Sequence, residues 1–452
     1  MNSWITTLEH WFDGVACTTW PWLRQDEGLT LRLDGEDQDY IRFNGGRVRQ
    51  ATAVRQIGLR LDYQANQRRC SQRLTLSGQL ERDKPLVRDC LERLRQESQA
   101  LPPDPWLVPL QNHGQSHVHH SGALPEVTGL IGELAEQGHD YDFTGLLAQG
   151  TLVRANRNSL GQAHWFSAEN LFIDYSLYTV NPDGQNKAVK GFYAGSAWDR
   201  ERYAARWRDN LQALRQLQRP NYTVQPGEYR VYLAPAAVDD LIGMFSWGGC
   251  SYQAFREGRS ALGKLFEGRA RLSPRFTLRE NFAPGFCPRF NSLGELPPES
   301  LTVVAQGEPG SLLISSRSAC EYAVNGNAAE PGGEGLRSPE LLPGDLEQSA
   351  ALQALGTGLY LSNLHYLNWS DVPEARITGM TRYACFRVEN GEAVAPIADA
   401  RFDESLYRLF GSALEALTRQ TECCLATDTY GQRSVGGSQI PGALISAFRF
   451  TL

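Results

Sequence analysis

The stretch G-E-Y-R-V-Y-L-A-P-A-A-V-D-D-L-I-G-M-F-S-W-G-G, residues 227–249, decides how the second half of the chain is read. Tyr229, Val231 and Leu233 alternate with Glu228, Arg230 and Tyr232, the period of a half-buried strand. Pro235 then opens a helix, because its fixed φ suits a first turn and its missing N–H would have no partner there. Val238, Leu241, Ile242 and Phe245 recur at helical spacing, and Gly248-Gly249 ends the run. A strand feeding a helix is a common place for catalytic groups, yet this helix carries no imidazole. Its paired acids, Asp239 and Asp240, read as surface carboxylates favoured by the positive end of the helix dipole.

Upstream, residues 1–220 read as one unit, with a boundary near 220 and a second domain over 221–452. Residues 3–12 place Trp4, Leu8 and Trp11 or Phe12 on one helical face. Short strand patterns follow at 29–33, 40–43, 48–53 and 57–63, and Asn44-Gly45 between two of them has the positive φ preference of a tight hairpin. Arg42, Arg47, Arg49, Arg55 and Arg60 stud these strands. On an antiparallel sheet with one wet face they are solvated, and contact with an anion or a peptide backbone is the sharper alternative. Helices are predicted over 86–94, 126–137 and 199–217, and a strand pair over 146–156 and 162–180. Beyond 220, Gly and Pro rise and short strand patterns run to residue 450. The fold expected is α+β: an N-terminal antiparallel sheet with helices, followed by a β-rich C-terminal domain with few helices.

Charge and composition remove several function classes. A formal net charge of -7 over 452 residues gives no basic footprint for a general nucleic-acid binder. No apolar run approaches the roughly 18 residues of a membrane span, and the first residues lack a basic leader and a cleavage site, so a cytoplasmic location is expected. The nine cysteines form no C-x-x-C, which argues for free, buried or partly buried thiols rather than a zinc knuckle or a redox pair. Residues 111–120, Q-N-H-G-Q-S-H-V-H-H, hold four of the eight histidines. Their Gly, Ser and Gln neighbours offer no orienting frame, so the segment reads as a polar loop rather than a metal site.

Phosphate-binding loops, a dinucleotide fingerprint, G-x-S-x-G and H-E-x-x-H are all missing. No histidine lies between His164 and His365, so the helix after Pro235 cannot supply paired imidazoles. A nucleophile pair such as Cys250 with His365 stays arithmetically open, with nothing in the spacing to support it.

Four blocks in the C-terminal half occur in a recognisable order: L-L-P-G-D-L at 341–346, A-L-G-T-G-L-Y-L-S-N-L at 354–364, R-I-T-G-M-T-R-Y-A-C-F-R-V-E-N-G-E at 376–392, and Ala395-Pro396-Ile397. With R-F-N-G-G at 42–46 and the strand-to-helix entry at 227–245, they resemble the TldD/PmbA (TldD/TldE) family over nearly the whole chain. In that family TldD-type chains carry a zinc-binding H-E-x-x-x-H on the helix and a further cysteine ligand near the C-terminus, whereas TldE-type (PmbA-type) chains lack them. Here the motif positions fall near Gly243-Met244 and Trp247. The C-terminal position falls at Thr427 and Asp428, with Cys423 and Cys424 just upstream. A catalytic zinc needs three protein ligands.

The resemblance therefore implies a TldE/PmbA-like subunit with no metal and no catalytic residue of its own. Zinc is expected in a TldD-like metallopeptidase partner, and an unfolded or modified peptide is the expected substrate, with roles in proteolysis or peptide maturation. Asn363, Arg376, Thr378, Gly379 and Arg382 are the expected substrate-binding residues, because they lie in a polar turn between apolar strands. Plain solvated hairpin charges are the alternative. A stand-alone peptide-binding or regulatory protein, and a hydrolase using the histidine-rich segment or a cysteine, also remain open.

Overall fold

The computed structural model describes residues 3–451. Helix α1 (Ser3–Thr19) leads into three antiparallel strands, β1 (Gly28–Asn44), β2 (Arg47–Ala65) and β3 (Arg68–Leu76), and then α2 (Leu80–Ala100). Strand β4 (Gln115–His120), α3 (Val127–Gly138), β5 (Asp142–Asn158), β6 (Ala163–Val180), β7 (Asn186–Gly195) and α4 (Arg200–Gln216) complete the first half. The sheet order is β3-β2-β1-β5-β6-β4, with β7 also pairing to β6. Every pairing is antiparallel except β4 with β6.

Four predicted short strands are in fact two long ones, joined at Gly45 (φ 56) and Gly46 (φ 68) as the Asn-Gly signal requires. The reason lies in the two faces of β1. Leu29, Leu31 and Leu33 bury one face under α1 and α2, together with Trp11, Phe12 and Leu91. The opposite face carries Arg32, Asp34, Glu36 and Gln38, a polar run that breaks the hydrophobic pattern without breaking the ladder. Glu36 and Gln38 are buried all the same. That face is where the second half of the chain docks.

Helix α4 is fixed by its cap: Asp199 accepts a hydrogen bond from the Arg202 N–H at 3.0 Å. Its Tyr203 and Trp207 pack with Phe143 and Tyr175 in a second core cluster. Asp199→Ala is expected to cost about 1 kcal/mol, read as a lower urea midpoint with an unchanged slope.

From residue 227 onward the strands belong to a second, separate sheet. Strand β8 (Gly227–Leu233) lies inside it, parallel to Gly358–Leu361 and antiparallel to Gly437–Phe450. Helix α5 (Pro235–Met244) follows, with Pro235 in its first turn as predicted. Val238, Leu241, Ile242, Met244 and Phe245 enter the main core of this half, each contributing about 2 kcal/mol by burial. Trp247, at ψ 73, and Gly248, at φ 79, take the backbone out of helical conformation. The remaining helices of this half are short, so the architecture is an antiparallel sheet with helices followed by a strand-rich half. No helix among the described residues is long and apolar enough to cross a membrane.

The two halves are pinned by Arg433, which is 1% exposed. Its guanidinium donates to Gln38 Oε1 at 2.8 Å and to the Asn170 carbonyl at 3.1 Å, and lies over the Phe172 ring. The Arg433 N–H donates to Glu36 Oε2 at 2.7 Å, and Arg154 donates to the Arg433 carbonyl at 3.0 Å. The buried Glu36 and Gln38 of β1 thus each gain a partner in the 426–436 segment.

Candidate functional site

A cavity of about 780 Å³ opens where the polar face of the first sheet meets the second half of the chain. Strand alternation supplies one wall: Arg32 and Asp34 from β1, Arg60 from β2 and Arg154 from β5. Register places Arg32 opposite Arg60 and Asp34 opposite Arg154. The other wall brings together Asp239 of α5, Cys424, Ser438 and Arg337.

Asp239 and Asp240 are not plain surface acids. Ser438 donates its hydroxyl to Asp239 Oδ1 at 2.6 Å, and burial pushes the Asp239 carboxyl above the usual carboxylate range against that bond. Asp240 is exposed to solvent, with protein atoms packed around its carboxyl. That enclosure pushes its carboxyl up to about 7, opposed by the Leu364 N–H it accepts at 3.1 Å and reinforced by Asp239. Burial, followed by the neighbouring Asp239, raises the Cys424 thiol well above its ordinary range, and burial pushes Cys423 up to about 11.

A raised folded-state carboxyl holds its proton more tightly than the unfolded chain does. Its stabilisation is complete below about pH 4 and is lost as pH rises through 7. Asp240→Asn is therefore expected to narrow the difference in Tm between pH 5 and pH 8, measured by calorimetry beside the unmodified chain.

This donor set does not fit a zinc ion. A catalytic zinc needs three protein ligands placed together, and Asp239, Cys423 and Cys424 do not form such a group. At the positions where the sequence reading places the family motif, Gly243 and Trp247 are exposed and Met244 is buried in the core. Among the described residues no group of three His, Cys, Asp or Glu side chains could hold an ion.

The histidine-rich segment is a strand rather than a loop. It lacks apolar alternation and is held by parallel pairing of Gln115–His120 with 163–168. Its side chains disperse: His117 reaches Glu9 at 3.2 Å, His119 Nδ1 lies 2.9 Å from Ser167 Oγ, and His120 packs near Phe166. The cysteines stay unpaired, and Cys17 and Cys320 are exposed rather than buried.

The five residues singled out as substrate contacts lie on one hairpin, formed by Asn363–Asp371 and Arg376–Arg382. Asn363 stands opposite Arg382. Arg376 pairs with Asp403 at 3.1 Å, and Thr378 donates to the Phe402 carbonyl at 3.1 Å. Gly379 is pressed so closely on Phe402 that a Cβ would come within 2.7 Å of its ring. Arg382 lies over Tyr383 and 4.0 Å from Asp399. None of the five lines the cavity, although the hairpin begins beside Asp240. Of the cavity residues only Arg60 was singled out as a binding candidate from sequence. The signal for Arg32 was present, as the polar register alternating with Leu31 and Leu33, while Arg154 and Ser438 carry no local signal.

A family model of the PmbA/TldA metallopeptidase C-terminal domain matches residues 226–452. No curated protein matches the chain by sequence. Among solved structures, TldE from Thermococcus kodakarensis superposes with a TM-score of 0.77 at 12% identity, covering 94% of this chain and 97% of that one. A proposed modulator of a DNA gyrase from Thermotoga maritima MSB8 gives 0.75 at 12% identity, with 98% and 100% covered. A proposed modulator of DNA gyrase from Bacteroides thetaiotaomicron VPI-5482 gives 0.76 at 13% identity, with 100% and 99% covered. At such identities the likeness carries the fold, and the match over residues 226–452 carries the family. The chain belongs to the TldD/PmbA family of metallopeptidase-related proteins.

Proposed function

We propose that this chain is the zinc-free, TldE-like subunit of a two-chain cytoplasmic peptidase whose metal resides in a TldD-like partner. The observation that carries this reading is the end of α5 and the turn that follows it. Where TldD-type chains are expected to hold H-E-x-x-x-H, it offers a glycine, a buried methionine and an exposed tryptophan. Residues 1–220 and 221–452 act as two domains, and the cavity between their sheets forms part of the peptide path. Asn363, Arg376, Thr378, Gly379 and Arg382 extend that path along the hairpin beside Asp240. Exposed strand backbone suits an unfolded peptide, since main-chain pairing binds an extended segment with little side-chain preference.

Metal content tests the reading. The purified chain, dialysed against zinc and then against buffer, is expected to retain only substoichiometric metal by plasma mass spectrometry and to leave an unfolded casein substrate intact. One zinc per chain together with hydrolysis by the isolated chain would overturn it.

A further inference from the structure

The wall of the cavity formed by the first sheet carries more positive charge than its acids neutralise. Asp62 is shared by Arg32 at 2.6 Å, Arg60 at 3.4 Å and Arg69 at 3.3 Å. Asp34 is shared by Arg154 at 3.2 Å and Arg73 at 3.7 Å. Five guanidinium groups thus divide two carboxylates, leaving a surplus of three positive charges in a chain whose net charge is -7. Four of the five line the cavity. Across it, Arg337 spends its side-chain N–H groups on the carbonyls of Pro288, Arg289 and Phe290 and has the buried Glu280, which accepts its backbone N–H at 2.8 Å, as a nearby carboxylate, while Glu330 receives the Ser292 N–H at 3.1 Å. Asp239, tied to Ser438, is the remaining acid on that side. Phe290, Leu336 and Leu425 are interleaved with these charges. A concave, low-dielectric site lined by one sign of charge concentrates ligands of the other sign.

We infer that this cavity selects an acidic stretch of extended peptide, seating its carboxylates on Arg32, Arg60 and Arg73 and its apolar side chains between them. This rests on the peptide-cleft reading above and names its substrate class, but binding can be measured on this chain alone, without a partner or a metal. Planar guanidinium forks suit carboxylates, and the apolar lining between them suits side chains rather than a sugar-phosphate backbone. Arg60 and Arg73 are about half exposed, at 46% and 49% of their side chains, so replacing them leaves the core intact.

The test is fluorescence anisotropy of the full chain with two labelled unstructured peptides, identical except that Glu in one is Lys in the other. The Glu peptide is expected to bind at least about ten-fold more tightly, to weaken as salt rises, and to lose about ten-fold in affinity in the Arg60→Gln/Arg73→Gln double variant. Equal binding of the two peptides, absence of binding, or an unchanged affinity in a variant with wild-type circular dichroism would overturn the inference. Tighter competition by inorganic phosphate or single-stranded DNA than by unlabelled Glu peptide would overturn it as well. If the variant misfolds, the charge preference and salt dependence of the unmodified chain decide. Failure here with partner-dependent peptidase activity intact removes the acidic preference only, whereas Glu-peptide binding by a chain that forms no complex with a co-expressed TldD-type chain removes the subunit reading and keeps the site.

Discussion

Arg433→Met is expected to lower the stability of the chain by about 3 kcal/mol, the scale of breaking a buried charged contact by removing one side. Burial pulls the guanidinium down to about 10, so it is still charged at neutral pH, and Tyr40 and Glu36 oppose the shift. Methionine fills much of the volume but leaves Gln38 Oε1 and the Asn170 carbonyl without this donor. It also removes one of the guanidinium charges, alongside Arg154, that act on the buried Glu36. Glu36 would keep its bonds from Tyr40, Gln56 and the residue-433 N–H, which limits the loss. Arg433→Lys restores the charge but not the fork, and should recover only part of the stability. Urea unfolding followed by far-UV circular dichroism measures the loss. Limited proteolysis should show faster cutting around Tyr430, which is 95% exposed at the tip of the docking segment. A loss under about 1 kcal/mol would mean that the two halves are held together elsewhere.

The second large effect concerns α5. Phe245 is fully buried, stacked on Phe276 with ring centroids 5.4 Å apart and set edge-on to Phe410 at 5.7 Å. Phe245→Ala removes the ring from a cluster that spans most of the second half, and is expected to cost about 4 kcal/mol. Two residues earlier, Gly243 faces open space, with no atom near the Cβ it lacks. Gly243→Ala should therefore be neutral or stabilising by up to about 1 kcal/mol, because alanine suits a helix interior better. The contrast in Tm identifies α5 as a packing element: its inward face is indispensable and its outward face is free of structural demand. A large destabilisation by Gly243→Ala would contradict that assignment.

Much of this architecture was legible in local pattern. Pro235 and Gly248 mark the ends of the α5 region because backbone chemistry alone sets them. Asn44-Gly45 announces a hairpin for the same reason. What could not be read locally was satisfied from far along the chain. The strand pattern lapses between residues 33 and 40, where Glu36 and Gln38 lie, because a partner of each, Arg433, comes nearly four hundred residues later. Gln115–His120 looks like a loop because its pairing with 163–168 leaves no hydrophobic period. The acids of α5 look solvated because nothing nearby in sequence foretells Ser438 or the Leu364 N–H. The cavity is likewise a product of register: Arg32, Arg60 and Arg154 meet only because β1 pairs with both β2 and β5.

The central claim is that this chain serves a peptidase without holding its metal. The most direct measurement is co-expression with a TldD-type chain bearing H-E-x-x-x-H, followed by light scattering of the purified material and a peptidase assay on each chain alone and on the pair. The account predicts a stable complex containing both chains, zinc in proportion to the TldD-type chain only, and hydrolysis of unfolded peptide by the pair and by neither chain alone. Separate elution of the two chains, with full activity in the zinc-bearing chain by itself, would contradict it.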